Sequence, residues 1–391
     1  MIRRQIEFEL IEVAGEYPVV TVIGPRQSGK TTLVKMAFPD YAYVNLEHPE
    51  QRLLADSDPK TFFKKYPAPV VLDEIQNVPE LLSWIQVLTD QRPEDKGRYI
   101  LTGSHQMKLR AEVSQSLAGR TALLTLLPFS LKELAEYGPL PDREALLMNG
   151  FLPRIHEESI RPIRAWRDYY LTYVERDVRK LIAIENQVGF EQFIKLLAGR
   201  IGQELNLHSM GKQIGVSSPT LKKWMSVLEA SFLIFRLPPF YNNFGKRITK
   251  SPKIYFVDTG LLCYLLGIET VSQLERDPLF GNIFENMVVM EFFKHRHNIG
   301  RAPNLYFYRD HNRNELDLIY PNGNRPIPIE IKSSRTYTKQ FQKGVQYFQK
   351  ISDRPQKGLV IYDGDVSVEN DHAVITNFRD MFENLQHLMN A

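Results

Sequence analysis

The sequence predicts an α/β protein in three parts: a parallel sheet covered by helices, a helical middle, and a mixed α/β rear. Two observations carry this. Up to about residue 135, short β-rich runs alternate with helical patterns, the signature of a parallel sheet buried on both faces. The pattern then turns helical from about Ile160 to Glu229, and mixed again after Pro252.

The first runs are Val19–Gly24, Tyr41–Asn45, Val70–Asp73, Tyr99–Gly103 and Ala122–Leu126, with helices beginning near Gly29, Pro79 and His105. A long charged helix is expected near Ala165–Leu181. The rear carries a helix at Phe280–His295 and strands at Leu305–Arg309, Glu315–Tyr320 and Pro326–Lys332. A helix at Lys339–Lys350 and a strand at Gly358–Tyr362 follow. Asn242–Ser251, rich in Asn, Gly and Lys, is the candidate boundary. The expected domains are therefore 1–158, 159–250 and 251–391.

Composition excludes several classes. Hydrophobic residues make up 43% and charged residues 24% of the 391, as in soluble globular proteins. No apolar run approaches the roughly 18 residues of a membrane span, so no membrane partner is expected. The stretch Met1–Glu7 lacks the apolar core of a signal peptide. A lone cysteine, Cys263, excludes an internal disulfide and a cysteine-rich metal site. A reducing cytoplasm fits. Net charge is +3, yet between Arg200 and Lys253 nine Lys or Arg face only Glu204 and Glu229, a local +7 that leaves −4 elsewhere. Such a block is either a solvated face or a contact for a polyanion.

Gly24-Pro25-Arg26-Gln27-Ser28-Gly29-Lys30-Thr31, followed by Thr32, fits G-x-x-x-x-G-K-[ST] after an apolar strand and at the start of a helix. The glycines let successive amides face phosphate oxygens, and the helix N-terminus adds partial positive charge. Lys30 is expected on the β- and γ-phosphates and Thr31 on Mg²⁺, so ATP and Mg²⁺ are the expected cofactors. Pro69–Glu74 is an apolar strand ending in two carboxylates. Asp73 is expected beside the phosphate loop, holding Mg²⁺ through water, with Glu74 polarising the attacking water. Thr102 or Ser104, at the tip of the Arg98–Leu101 strand, would sense the γ-phosphate or hold the water; the alternative is a cap for the next helix. Arg120 is a candidate arginine finger, acting on its own site or on a neighbour's in a homo-oligomer, or else a surface arginine.

Leu207–Ala230 reads as two short helices around Gly215-Val216, capped by Asn206 or Ser209 and by Ser217 or Ser218. Ile214, Leu221, Trp224, Met225 and Leu228 form the apolar stripe, with Lys222 and Lys223 opposite. Phe232–Leu237 and the basic stretch Gly245–Lys253 would add a strand and a wing. A helix-turn-helix with a wing suits DNA; a hairpin that only packs domains together, or binds protein, is the alternative. In the rear, a two-residue Asn322-Gly323 turn would place Asp317 opposite Pro328, with Glu330 diagonal to Asp317 and Lys332 on the same face. The pattern D…E-x-K matches metal-dependent phosphodiesterases. Glu285 is the candidate third metal ligand and Gln346 a support. Alternatively, Lys332 is a salt-bridge partner in a structural core, or the unit only binds DNA.

With these blocks, and with Ser116–Arg120, Asp258–Leu262, Phe284-Glu285-Asn286, Tyr308-Arg309-Asp310 and Pro328–Ser334, nearly the whole chain resembles a prokaryotic family of AAA+-like P-loop ATPases with a C-terminal domain of unknown function. The resemblance implies an AAA-type core, a winged-helix middle and a restriction-endonuclease-like C-terminal fold. It implies no known reaction. His105 stands where a second small hydroxyl residue is expected, and Leu316 where proline is frequent. The expected function is a cytoplasmic ATPase that engages DNA and uses nucleotide state to control a nuclease-like domain. The alternative is an ATP-dependent switch or scaffold whose C-terminal domain is catalytically inactive.

Overall fold

The computed structural model describes residues 2–104, 116–158, 160–178, 186–240 and 251–390. The helix expected near His105, the end of the Ala165–Leu181 helix, and nearly all of the Asn242–Ser251 boundary and the basic wing lie outside the described residues.

The first unit holds strands β1 (Val19–Ile23), β2 (Ala42–Asn45), β3 (Val70–Asp73), β4 (Tyr99–Gly103) and β5 (Thr121–Thr125) in one parallel sheet ordered β2-β3-β4-β1-β5. Helices α1 (Glu7–Glu16), α2 (Lys30–Ala37), α3 (Pro49–Ser57), α4 (Pro59–Lys65) and α5 (Leu81–Asp90) pack around it. Alternate residues of β1 serve opposite faces, as period two requires. Val19 and Ile23 join the main core, whereas Val20 and Val22 join a second cluster under α1 and α2. Burial on both faces explains why β1, β3 and β4 read as unbroken apolar runs.

Helices α6 (Leu131–Tyr137), α7 (Arg143–Asn149), α8 (Pro153–Glu157) and α9 (Pro162–Tyr169) follow, and α9 passes into a π-helical stretch at Tyr170–Val178. A capping box of Ser130 and Glu133 starts α6. Next come α10 (Gln187–Ala198), α11 (Leu207–Ile214) and α12 (Ser218–Ala230), then the antiparallel pair β6 (Ile234–Leu237) and β7 (Lys253–Phe256). Asn206 caps α11 and Ser217 caps α12. Gly215, at φ 68°, ends α11 in the left-handed region that glycine takes most easily. A side chain on Gly211 would lie 2.4 Å from the Val216 carbonyl, so the turn needs glycine there too. Because β7 pairs with β6, the middle hairpin extends past residue 251.

The rear contains α13 (Thr259–Leu265), α14 (Val271–Arg276) and the long α15 (Phe280–Asn298), then a six-stranded mixed sheet ordered β12-β13-β11-β10-β9-β8. Its strands are β8 (Tyr306–Arg309), β9 (Glu315–Tyr320), β10 (Ile327–Lys332), β11 (Gly358–Tyr362), β12 (Val368–Glu369) and β13 (Ala373–Asn377). Helix α16 (Lys343–Ile351) covers one face, and α17 (Met381–Asn390) follows β13. Of these, α13, α14, β12, β13 and α17 were not expected from the sequence.

One apolar cluster runs from Ile2 through Trp166, Trp224 and Phe284 to Leu388, so the three parts share a core. Asp258 ties the joint. Its carboxylate accepts the amides of Gly260 and Phe151, each at 2.9 Å. Side chains on Gly150 or Gly260 would strike Asp258 and the Trp166 indole, each at 2.0 Å. Burial pushes the Asp258 carboxyl up to about 7, against the pull of the Lys294 ammonium. The folded chain therefore keeps a proton that the unfolded chain releases near the ordinary 3.8. The stability linked to it is complete below that value and is lost as pH rises through about 7. Asp258→Asn is expected to flatten this part of the Tm-versus-pH curve while costing about 1–3 kcal/mol at low pH through one orphaned amide. Thermal melts across that range check it.

Candidate functional site

β1 ends at Ile23, and the chain turns sharply into α2. At Gly24 a Cβ would lie 2.0 Å from the Leu126 carbonyl, so no side chain fits. Gln27 (φ 62°) and Gly29 (φ 90°) complete a loop that lifts the start of α2 over the C-terminal edge of the sheet. Lys30 opens α2 and is buried. Its ammonium donates to the carbonyls of Gly24 at 3.1 Å and Pro25 at 2.9 Å, bridging the loop. Burial draws this ammonium down to about 8, opposed by the charges of Glu74 and Asp73. Thr32 is half-buried in the first turn of α2 and Arg26 half-buried in the loop. The Ser28 hydroxyl is buried and has no hydrogen-bond partner among the described residues.

Asp73 sits at the tip of β3. Its carboxylate accepts the hydroxyls of Thr31 at 2.9 Å and Tyr43 at 2.6 Å on one oxygen, and that of Thr102 on the other. The strand beside β1 is β4, not β3. The parallel order places β4 between them, and Thr31 reaches across it. Thr102 supports both acids, since it also accepts the Glu74 amide at 3.1 Å. Glu74, in the left-handed region at φ 57°, is half-buried. Ser104 donates to its carboxylate at 3.1 Å, and Gln76 donates to the same oxygen. Thus Lys30, Thr31, Asp73, Glu74, Thr102 and Ser104 share one edge of the sheet.

Arg120 does not. Its carbonyl accepts the Val19 amide at 3.2 Å, at the start of β1 rather than its end. β1 has five residues, so Arg120 lies roughly 15 Å from the loop at about 3.3 Å per residue. Its guanidinium is bidentate on Asp90, at 2.6 and 2.9 Å. This placement sets its guanidinium on Asp90 and away from the loop.

The residues fit a nucleoside triphosphate with Mg²⁺. A glycine-shaped loop at a helix N-terminus, an ammonium, a buried hydroxyl without a partner, and a hydroxyl–carboxylate pair are the required donor and acceptor types. Two contributors had no clear sequence signal. Tyr43 gives only a β-run, and Arg4, whose guanidinium donates to the Ser28 carbonyl of the loop at 2.7 Å, only a cation ahead of a helix.

A second polar cluster lies in the rear. The turn between β9 and β10 spans residues 321–326, longer than the expected Asn-Gly pair, with the Arg325 amide bonded to the Asn322 carbonyl. The register is consequently shifted. Ile329 faces Leu318, which sets Glu330 rather than Pro328 opposite Asp317. Lys332 bridges them, 3.3 Å from Asp317 and 2.6 Å from Glu330. Burial and the neighbouring Asp317 hold the Glu330 carboxyl well above the usual range. Burial opposes the Lys332 charge, but the two carboxylates outweigh it and hold its ammonium high. Glu285 on α15 has its carboxyl raised by burial, against the pull of Lys253, and lies near enough for the Asp317 charge to help raise it. It accepts the Tyr255 hydroxyl at 2.6 Å and lies 3.3 Å from the Lys253 ammonium, which also pairs with Glu315 at 2.6 Å. Among the described residues no group of three His, Cys, Asp or Glu is placed to hold a metal ion. Lys332 pairs with Asp317 and Glu330, and Lys253 with Glu285 and Glu315, while Oε2 of Glu330 is buried without a hydrogen-bond partner among the described residues. Lys253, counted in the basic block, is buried here.

In the middle, Leu221, Trp224, Met225 and Leu228 are buried while Lys212, Lys222 and Lys223 are exposed. Among the described residues no helix is long and apolar enough to cross a membrane.

Comparison with known proteins adds three family matches. Residues 16–135 match an AAA domain, and residues 140–272 and 280–380 match two domains of unknown function, DUF8612 and DUF4143. The uncharacterized proteins Rv2008c of Mycobacterium tuberculosis and Mb2031c of Mycobacterium bovis are each 32% identical over 339 residues, covering 85% of this chain and 74% of theirs. Among solved structures, a Walker-type ATPase of Pyrococcus abyssi is similar over 68% of this chain and 96% of its own, with 14% identity and a TM-score of 0.45.

Proposed function

We propose a function for a chain that belongs to the family of these two mycobacterial proteins, an AAA-like ATPase domain followed by two domains of unknown function: it binds and hydrolyses ATP, engages DNA through its middle segment, and lets nucleotide state set the placement of its rear unit. The observation that carries the first part is the Thr31–Asp73–Thr102 network beside the Lys30-bridged loop. Loop amides and Lys30 would hold the phosphates, and Thr31 with Asp73 would hold Mg²⁺. The bound metal would neutralise phosphate charge. Glu74, aimed by Ser104 and Gln76, would orient a water and accept its proton.

DNA engagement rests on α11 and α12, whose outward Lys212, Lys222 and Lys223 suit phosphates, beside the β6–β7 pair. A winged helix that contacts DNA is the reading favoured here. For the rear unit we favour a regulator without cleavage, because Lys253 and Lys332 occupy the charges a metal would need. A second reading, metal-assisted phosphodiester cleavage, is supported by the convergence of Asp317, Glu330 and Lys332.

Glu74→Gln is expected to keep ATP affinity within a few-fold while slowing hydrolysis by about 100-fold or more. Steady-state phosphate release with parallel nucleotide binding checks this, and equal turnover would move the base elsewhere. Duplex affinity should fall steeply with salt through counterion release, and Lys222→Glu/Lys223→Glu should weaken it. No binding at low salt would remove DNA from the account. In the same samples with Mg²⁺ or Mn²⁺, plasmid should stay intact. Cutting by wild type that is lost in Asp317→Ala and Lys332→Ala would establish the cleavage reading instead.

A further inference from the structure

Four charged side chains are almost wholly buried between the phosphate loop and the rear unit: Arg4 is 6% exposed, Glu133 and Glu291 0%, and Lys294 1%. Each holds backbone of the first unit. Arg4 donates to the Ser28 carbonyl of the loop at 2.7 Å, to the Leu127 carbonyl at 2.6 Å, and to Glu133 at 3.1 Å. Glu133 also accepts the Gln5 amide at 2.7 Å and the Ser130 amide at 2.9 Å. One residue after Ser130, the Leu131 amide donates to Glu291 of α15 at 2.8 Å. Lys294, a turn further along α15, donates to Glu291 and to the Phe129 carbonyl, each at 2.7 Å. Asn298, at the end of that helix, donates to the Gln5 amide oxygen at 3.2 Å.

Buried ion pairs are poor stabilisers, because desolvation offsets most of their attraction, and apolar residues would fill the space at lower cost. Their geometry is specific, however. The segment 127–131 is held from one side by Arg4 and Glu133, and from the other by Glu291 and Lys294. Moving either set moves the same backbone. We propose that Arg4 is a positioning residue for the phosphate loop, and that Glu291 and Lys294 of the rear unit act on that loop through it. Nucleotide occupancy and the seating of α15 are then one linked equilibrium, and by reciprocity each changes the other. The inference rests on the ATP-binding reading above. It adds that nucleotide affinity depends on residues far outside the AAA-like domain, on the helix that also carries Glu285.

The test uses the full chain. Arg4→Lys keeps the charge but loses the forked reach to Ser28 and Leu127. Glu291→Gln/Lys294→Met removes both charges of the second pair at nearly constant volume. Both should raise the KM for ATP by about tenfold, the worth of one charge-assisted hydrogen bond, with kcat changed far less, and Glu291→Asp should restore part of the loss. The decisive readout is hydrogen exchange at the Leu131 amide. Saturating Mg-ATP should slow it several-fold in wild type and leave it unchanged in Arg4→Lys. A merely structural role predicts the same slowing in both. If Arg4→Lys does not fold, the neutral pair carries the test through its KM. Unchanged KM in the folded variants, or identical exchange responses, overturns the inference while the ATPase reading stands. A wild-type chain that binds no nucleotide overturns both.

Discussion

Asp73 is a carboxylate at a strand tip, almost fully buried, with both oxygens committed to hydroxyl groups. Two strands and one helix supply its partners: Tyr43 from β2, Thr102 from β4, and Thr31 from the start of α2. A buried anion is tolerated only with such partners. The sheet order is what brings them together, because a parallel arrangement places all strand C-termini on one edge. Glu74, next in sequence, inherits its position from the same network through the Thr102 hydroxyl. The loop above is fixed by sterics at Gly24, which leaves no room for a side chain against Leu126, and by the cations of Lys30 and Arg4 that hold its carbonyls. The nucleotide site is thus the joint product of electrostatic and steric constraints.

The first unit was largely legible in the sequence because its signals are local. Val70–Asp73 and Tyr99–Gly103 match their strands residue for residue, since strands buried on both faces are continuous apolar runs. Loop residues Gly24 to Thr32 could be placed because a phosphate-binding turn needs glycine at fixed spacing. What failed was non-local. Arg120 was read from its neighbours in sequence, yet its location depends on where β5 begins, and that is beside the start of β1, at the opposite end of the strand from the phosphate loop. The β9–β10 register followed a two-residue turn rule that a six-residue turn does not obey. Pro321 and Pro326 flank that turn, and the resulting shift by two residues moved Glu330 from a diagonal to a facing position. Lys253 shows the limit of counting charge along a chain. It looked like part of a basic surface, and it is buried against Glu285 and Glu315 from the rear unit.

The rear unit is best understood through what neutralises its acids. Asp317 and Glu330 share Lys332, while Glu285 and Glu315 share Lys253, and Arg309 links Glu315 onward to Glu204. The same helix that holds Glu285 reaches the first unit through Glu291 and Lys294. One apolar core runs through all three parts. On the inference above, a change at the phosphate loop reaches α15 through Arg4 and the segment 127–131.

The central claim is that the loop after β1 forms a cradle for Mg-ATP. Isothermal titration of the folded full-length chain with Mg-ATP tests it most directly, with Lys30→Ala as the control. Saturable heat in wild type, lost in Lys30→Ala at unchanged Tm, is the predicted result. No heat in wild type, or equal heat in both, would contradict it.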